Sequence, residues 1–274
     1  MADNILRVLI FGAHPDDADL TAGGVAALYA QQGHRVKMVS LANGDAGHFE
    51  QGGAPLAWRR RAEAAASGAV LGCEYITLDT HDGEVLPTLE LRREVIAVIR
   101  AFGPDIVILP RPWDYHPDHR YTSQVIQDAL YMVTVPNVVS HVPHLDANPV
   151  ALYVWDHFQK PCPFVPDVVV DIGSVVERKI DAVHSHTSQM YEWLPYNRGV
   201  LEQVPAGESQ RRAWLRAWLE PRFTRIAALY RDRLGALYGE QRGAQVVYAE
   251  AFEICEYGAP VTEADFGRLF PFFD

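Results

Sequence analysis

Cysteine and long apolar runs are both scarce in this chain of 274 residues. Its three cysteines, Cys73, Cys162 and Cys255, are too few and too widely spaced for a disulfide framework or a cysteine-based zinc site. No window approaches the run of about twenty apolar residues that a membrane span requires. The first apolar run begins at Ile5, which leaves no room for a signal peptide, so we expect a cytoplasmic protein without a membrane partner.

Positive charge is also in short supply. The chain has 24 Lys and Arg against 35 Asp and Glu, a formal net charge of -11. A nucleic-acid partner is therefore not expected, because phosphate binding requires clustered basic side chains. The dense basic cluster at residues 59–61 lies on a predicted helix with acidic neighbours. With 49% hydrophobic and 22% charged residues, the composition is typical of a globular protein that buries a full core.

The first half of the chain alternates apolar runs with amphipathic segments. Such alternation predicts an α/β fold, with a mostly parallel sheet covered by helices on both faces. The predicted strands are 5–11, 35–41, 74–78 and 106–109, and the predicted helices between them are 20–32, 56–71 and 89–102.

The second half is less regular. We predict helices at 121–133 and 175–184, strands at 151–155, 168–171 and 246–252, and a long covering loop at 135–149. Residues 210–240 are predicted to form one helix or a helical pair that is broken near Pro221. Without a repeat or a linker, one domain over 1–274 is expected, with its core at 5–190 and a C-terminal embellishment at 191–274.

Two clusters of His and Asp follow predicted strands, where α/β proteins keep their active sites. His14, Asp16 and Asp17 follow the first strand, and the segment 116–119 follows the strand at 106–109. Hydrolytic zinc is commonly held by three protein ligands of the His and carboxylate type. The spacing indicates His14, Asp17 and His119 as ligands of Zn²⁺.

The remaining residues of these clusters suit the other roles in hydrolysis. Asp16 lies beside the ligands and is the candidate general base. His116 is the candidate that stabilises an oxyanion as an imidazolium, and Asp118 would orient His116 or support a ligand. Taken alone, either Asp16 or Asp17 could be only the N-cap of the next helix. Two such clusters at strand ends favour the functional interpretation over the structural one.

These segments resemble the LmbE-like, or PIG-L, family of zinc-dependent de-N-acetylases. The resemblance rests on AHPDDADLTAGG at 13–24, HPDH at 116–119 and HSHTSQ at 184–189. It implies a Rossmann-like three-layer sandwich, a zinc cofactor and hydrolysis of the N-acetyl group of an amino sugar or its glycoconjugate. It implies the same ligands and the same base, and it makes a homo-oligomer reasonable. Asp19 stands where the family usually has Glu.

Two further positions match the family less sharply. Arg60 resembles an arginine that approaches the sugar, and Asp82 resembles an aspartate that lines the pocket, so both are candidate substrate-binding residues. Arg60 could instead be a solvated charge paired with Glu63 one turn later, and Asp82 with Gly83 is also an ordinary turn pair.

Two other functions stay open at this point. Gly23 and Gly24 fit a non-catalytic Rossmann module that binds a nucleotide, although the chain lacks G-x-G-x-x-G after its first strand. The same catalytic residues would also serve an amidase that acts on a thiol conjugate or another non-acetyl amide.

Overall fold

The structure, a computed structural model, describes residues 5–273, without the side chains of residues 263 and 264. One seven-stranded sheet runs through this part of the chain, in the order β3-β2-β1-β4-β5-β7-β6. Its strands are β1 (Arg7–Gly12), β2 (Arg35–Ala42), β3 (Glu74–Thr80), β4 (Ile106–Leu109), β5 (Val150–Val154), β6 (Val168–Asp171) and β7 (Ala249–Cys255).

The first five strands of the sheet are parallel, and β7 runs antiparallel to both β5 and β6. From β1 the chain passes to β2 and β3 on one side and then returns to β4 on the other side. The carboxyl ends of β1 and β4 therefore flank a reversal of strand order, which is where open α/β sheets bind their ligands.

Helices cover both faces of the sheet, which explains why the strands lack alternation. On β1, Val8 and Ile10 belong to one buried apolar cluster, and Leu9 and Phe11 belong to the other. The prediction of an α/β fold with a mostly parallel sheet between helical layers is confirmed. The helices are α1 (Asp17–Gln31), α2 (Gly53–Leu71), α3 (Leu89–Phe102), α4 (Pro117–Met132), α5 (Val176–His184), α6 (Leu194–Asn197), α7 (Glu208–Leu229), α8 (Arg231–Tyr238), α9 (Glu240–Gln245) and α10 (Glu263–Leu269).

Helices α1 and α4 begin earlier than their apolar periodicity predicts, because the His/Asp motifs form their first turns. Helix α1 begins at Asp17 rather than at residue 20, and α4 begins at Pro117 rather than at residue 121. Proline suits the first position of a helix because its missing N–H would have no partner there.

The C-terminal segment differs most from prediction. Helix α7 continues through Pro221 and ends at Leu229, so the predicted break near Pro221 is wrong and the chain turns at Tyr230 instead. The last strand spans Ala249–Cys255, three residues later than predicted, and lies between β5 and β6. Residues beyond 190 thus complete the central sheet as well as adding helices. No helix within residues 5–273 has the length and apolarity needed to cross a membrane.

Candidate active site

The two His/Asp motifs meet at the reversal of strand order. Ile10 of β1 pairs with Ile108 of β4, so the loops that follow these neighbouring strands lie side by side. A cleft of about 600 Å³ opens above them. Its lining includes seven of the eight predicted site residues: His14, Asp16, Asp17, Arg60, Asp82, His116 and His119.

His14, Asp17 and His119 converge as a set of metal-binding side chains. Asp17 Oδ2 lies 3.3 Å from His14 Nδ1 and 3.4 Å from His119 Nε2. One ligand atom from each residue lies within 4.8 Å of the other two. Two imidazoles and one carboxylate are a donor set that zinc uses in hydrolytic sites. The residues present therefore fit a divalent metal ion.

The second nitrogen of His14 is held by two further carboxylates. His14 Nε2 lies 3.2 Å from Asp118 Oδ2 and 3.1 Å from Asp82 Oδ1. Burial opposes protonation of His14, but its hydrogen bonds to Asp118, Asp17 and Asp82 prevail and raise its pKa. Burial also disfavours the Asp17 carboxylate, yet His119 and His14 hold its pKa well below the usual range. Three carboxylates around one imidazole create an excess of negative charge that favours a cation.

Asp118 supports this arrangement from a fully buried position. Its carboxylate accepts hydrogen bonds from the backbone N–H groups of Gly83, at 2.7 Å, and Val85, at 3.3 Å. Of the two roles considered for Asp118, its contacts match the support of His14, a pattern in which a carboxylate fixes the orientation of a ligand imidazole. His14, His116 and Asp118 also form a second possible donor set.

His116 begins helix α4 as its N-cap. The ring nitrogen Nδ1 accepts the backbone N–H of Asp118 at 3.2 Å, which leaves Nε2 to carry the proton of a neutral ring. Burial and the neighbouring rings of His14 and His119 lower the pKa of His116. The Tyr115 ring, which is largely exposed, lies 5.8 Å from His116 and 5.7 Å from His119.

Asp16 is buried and lies outside the converging set of ligand atoms. Its Oδ1 accepts a hydrogen bond from Arg60 Nη2 at 3.1 Å. Burial raises the pKa of Asp16 to about 6, an effect that the Arg60 charge partly offsets. A carboxylate with this pKa is deprotonated at neutral pH and still accepts a proton readily.

Arg60 is only 2% exposed, so the alternative of a solvated charge paired with Glu63 is wrong. Its guanidinium contacts Asp16 and Asp82, and it also donates to the Gly44 carbonyl. Gly44 has a φ of +75°, and a Cβ there would collide with the Arg60 guanidinium. The loop at 43–47 therefore makes room for Arg60. Glu63 instead pairs with Arg59 and accepts hydrogen bonds from Thr187 and Ser188.

Asp19, which stands where the family usually has Glu, is fully buried and has two polar side-chain partners. The Asp19 carboxylate accepts a hydrogen bond from Ser67 Oγ and lies 3.0 Å from His186 Nε2. Sequence reasoning missed Ser67, since a lone serine within an alanine-rich helix carries no local signal. His186 contacts Asp19, so the shorter carboxylate still reaches a partner from the segment 184–189.

Gly23 and Gly24 serve packing rather than a nucleotide. A Cβ at Gly24 would lie 2.9 Å from Glu250 Oε1 and 2.7 Å from Ile172 Cγ2. Glu250 accepts hydrogen bonds from the Gly24 and Val25 N–H groups, both at 2.8 Å, and pairs with the buried Lys179. The glycines allow this buried ion pair to contact helix α1 closely, which removes the support for a nucleotide-binding module.

The chain is similar in sequence to a known protein family and to several characterised enzymes. The family model described as "PIG-L: GlcNAc-PI de-N-acetylase" matches residues 9–130. Diacetylchitobiose deacetylase of Thermococcus kodakarensis is 33% identical over 211 residues, which cover 72% of this chain and 77% of that protein. 4-oxalmesaconate hydratase of Pseudomonas putida is 28% identical over 206 residues, or 71% of this chain and 78% of that protein.

The fold is shared with a solved structure, N,N'-diacetylchitobiose deacetylase of Pyrococcus horikoshii. It superposes with a TM-score of 0.71 at 24% identity, covering 93% of this chain and 85% of that one.

Proposed function

The chain is an enzyme of the PIG-L family, and we propose that it is a zinc-dependent hydrolase that removes the N-acetyl group from an amino sugar or its glycoconjugate. The observation that carries the proposal is the convergence of His14, Asp17 and His119 beside a separate, buried carboxylate, Asp16. The naming of a relative as diacetylchitobiose deacetylase supports an N-acetylated sugar as substrate.

In this proposal His14, Asp17 and His119 hold the metal ion. A zinc ion bound there supplies a Lewis acid that polarises the amide carbonyl and lowers the pKa of water. His14 is kept in place by Asp118 and Asp82, which contact its second nitrogen. Such contacts fix the ring orientation that a ligand needs.

Asp16 is proposed to move the proton. It takes a proton from the attacking water as the new C–O bond forms at the amide carbon. The C–N bond then breaks, and the same proton passes from Asp16 to the amine nitrogen, which leaves acetic acid and a free amine; the acid then loses the second proton of the water to solvent and becomes acetate. Arg60 holds Asp16 by a hydrogen bond and limits the rise of its pKa, so that Asp16 is deprotonated at neutral pH.

His116 is proposed to stabilise the oxyanion as a neutral ring, not as the imidazolium expected from sequence. Its Nδ1 accepts a backbone N–H and its pKa is lowered, so Nε2–H is the donor that remains. A neutral imidazole can polarise a carbonyl when its surroundings disfavour the charged form.

A hydratase is a second candidate, because one relative is named 4-oxalmesaconate hydratase. The amidase acting on a non-acetyl amide also remains, since the same catalytic residues attack either carbonyl. Acetate release separates deacetylation from both alternatives, because neither of them forms acetate.

The test is acetate release from a panel of N-acetylated sugars by the zinc-loaded enzyme. We expect turnover of at least one sugar, about one zinc per chain, and a loss of roughly 10²- to 10⁴-fold in kcat for Asp16→Asn with zinc retained. Asp79→Asn, a substitution of an exposed carboxylate, serves as the matched control and should match the wild type. If no sugar releases acetate while zinc is bound, deacetylation of sugars is ruled out in favour of the alternatives.

A further inference from the structure

Four arginines line the catalytic cleft, and they differ in how their charge is neutralised. Arg60 pairs with Asp16 and Asp82, as described above. Arg111 lies 3.2 Å from Asp156 Oδ1 and 3.3 Å from Glu253 Oε2. Among the side chains that the structure describes, those of Arg198 and Arg222 form no ion pair and donate no hydrogen bond. Each of the two guanidinium groups lies over a tryptophan ring.

Arg198 and Arg222 alternate with two tryptophans on one wall of the cleft. The Arg198 guanidinium lies 4.3 Å from the centre of the Trp218 ring, and Arg222 lies 5.5 Å from that of Trp155. Trp218 and Arg222 are four residues apart on helix α7, so they lie on the same face. Trp155 is fixed from behind by a hydrogen bond from its Nε1 to Tyr230 Oη at 3.0 Å.

The surroundings of Arg222 leave its charge uncompensated. Burial lowers the pKa of Arg222, and Glu250, Asp17, Asp156 and Asp114 oppose this only from beyond ion-pair distance. Arg222 is half-buried and has no acidic partner, so a carboxylate or phosphate on a ligand would supply that partner through charge-assisted hydrogen bonds.

Resting on the proposed function, we infer that Arg222, assisted by Arg198, binds an anionic substituent of the N-acetylated substrate, while Trp218 and Trp155 contact its sugar ring. The cleft is lined by the carboxylates of Asp16, Asp17 and Asp82 and also by the basic side chains of Arg198 and Arg222. A substrate with an N-acetyl group at one end and a carboxylate or phosphate at the other is complementary to both. The substrate class is therefore an acidic N-acetylated amino sugar.

The experiment compares kcat/KM for two acidic and two neutral sugars on the zinc-loaded enzyme. N-acetylmuramic acid carries a carboxylate and N-acetylglucosamine 6-phosphate a phosphate, while N-acetylglucosamine and N,N'-diacetylchitobiose are neutral. We expect at least one acidic sugar to exceed both neutral sugars by roughly tenfold or more, the usual effect of a charge-assisted hydrogen bond. Which acidic sugar prevails identifies the anion as carboxylate or phosphate.

Substitutions on one helix then locate the anion site. Arg222→Met should reduce the preference for acidic over neutral sugars by roughly tenfold or more, and Arg222→Lys should restore part of it. Arg225→Met is the matched control, because it removes the same charge from an exposed position of helix α7 and should leave the preference intact. Equilibrium binding of the same sugars to zinc-loaded Asp16→Asn supplies a readout that needs no turnover.

The outcomes separate the two proposals. Acetate release with no acidic preference, or with a preference that Arg222→Met does not change, overturns the anion site and leaves deacetylation in place. Binding of an acidic sugar that weakens in Arg222→Met but not in Arg225→Met, without acetate release, supports the anion site and overturns the deacetylase. Neither acetate nor Arg222-dependent binding overturns both.

Discussion

Lys179 and Glu250 form a buried ion pair, whereas the cluster of His14, Asp17 and His119 is buried at His14 and half-buried at the other two residues. Only the ion pair is balanced within the protein. Lys179 Nζ lies 2.5 Å from Glu250 Oε1 and also donates to the Leu20 carbonyl at 3.0 Å. The Glu250 carboxylate accepts two backbone N–H groups of helix α1. One cation faces one anion, and the available hydrogen-bonding atoms of both have partners.

The charges around His14, Asp17 and His119 do not cancel. His14 contacts Asp17, Asp82 and Asp118, and Asp17 also faces His119. These residues comprise three carboxylates and two imidazoles. The negative charge therefore exceeds the positive charge, and an added cation would balance it. The comparison teaches that buried charge indicates a ligand site where the charges do not cancel, and a structural role where they do.

The largest expected effect comes from unbalancing the structural pair. Lys179→Met leaves the Glu250 carboxylate buried without its cation, so the free energy of unfolding should fall by about 3–5 kcal/mol, measured by urea denaturation. Adding Glu250→Gln to Lys179→Met removes the uncompensated charge and should recover part of the loss. A decrease below about 1 kcal/mol for Lys179→Met would contradict a structural role for the pair.

A substitution in the cluster of His14, Asp17 and His119 should change metal binding and activity much more than the free energy of unfolding. His119→Ala removes one of the three proposed metal ligands, so zinc content should fall well below one per chain and kcat/KM should fall by more than about 100-fold. In chelator-treated protein, the variant and the wild type should unfold within about 1 kcal/mol of each other, because His119 lines the cleft and belongs to no apolar cluster of the core. Metal content is checked by elemental analysis.

His144→Ala is the control for this experiment, since His144 is an exposed histidine outside the cleft. It should bind zinc and turn over substrate as the wild type does. Full zinc content in His119→Ala would mean that the ion uses the other donor set, His14 with His116 and Asp118.

The smallest expected effect is that of breaking an ion pair that is only half-buried, formed by Glu192 with Arg59 and His48. Glu192 lies 2.6 Å from Arg59 Nη2 and 2.8 Å from His48 Nε2, and the hydrogen bond from Arg59 lowers its pKa below the ordinary value of 4.5. A carboxylate with a lowered folded-state pKa stabilises the protein above the unfolded-state pKa and loses this contribution as pH falls through the folded-state value.

Glu192→Gln should therefore cost no more than about 1 kcal/mol of unfolding free energy at pH 7, because solvent screens the pair. The difference from the wild type should shrink as pH falls below about 4.5. Denaturation of both proteins across this range measures it, with Glu256→Gln, an exposed substitution, as control. A difference that stays constant with pH would show that the Glu192 charge is not responsible.

Local pattern predicted the first half of the fold better than the second. Strands β1, β2 and β4 have continuous apolar runs because both of their faces are buried under helices. Pro221 misled the prediction because proline usually breaks a helix, whereas helix α7 is held by Leu215, Leu219, Phe223 and Ile226, which pack into the core. Packing outweighed the local preference.

The motifs at 14–17 and 116–119 were sufficient to predict from sequence that their side chains converge, because both follow buried strands and the carboxyl ends of parallel strands meet at one edge. The residue types within each motif and the apolar runs before them were enough for this prediction. Other contacts join residues that are far apart in the chain. They include the hydrogen bonds of Arg60 with Asp16, of Thr187 with Glu63 and of Ser67 with Asp19. The same holds for the basic wall built by Arg198 and Arg222. Only the tertiary structure decides such contacts, because the balance of buried charges depends on which distant side chains meet.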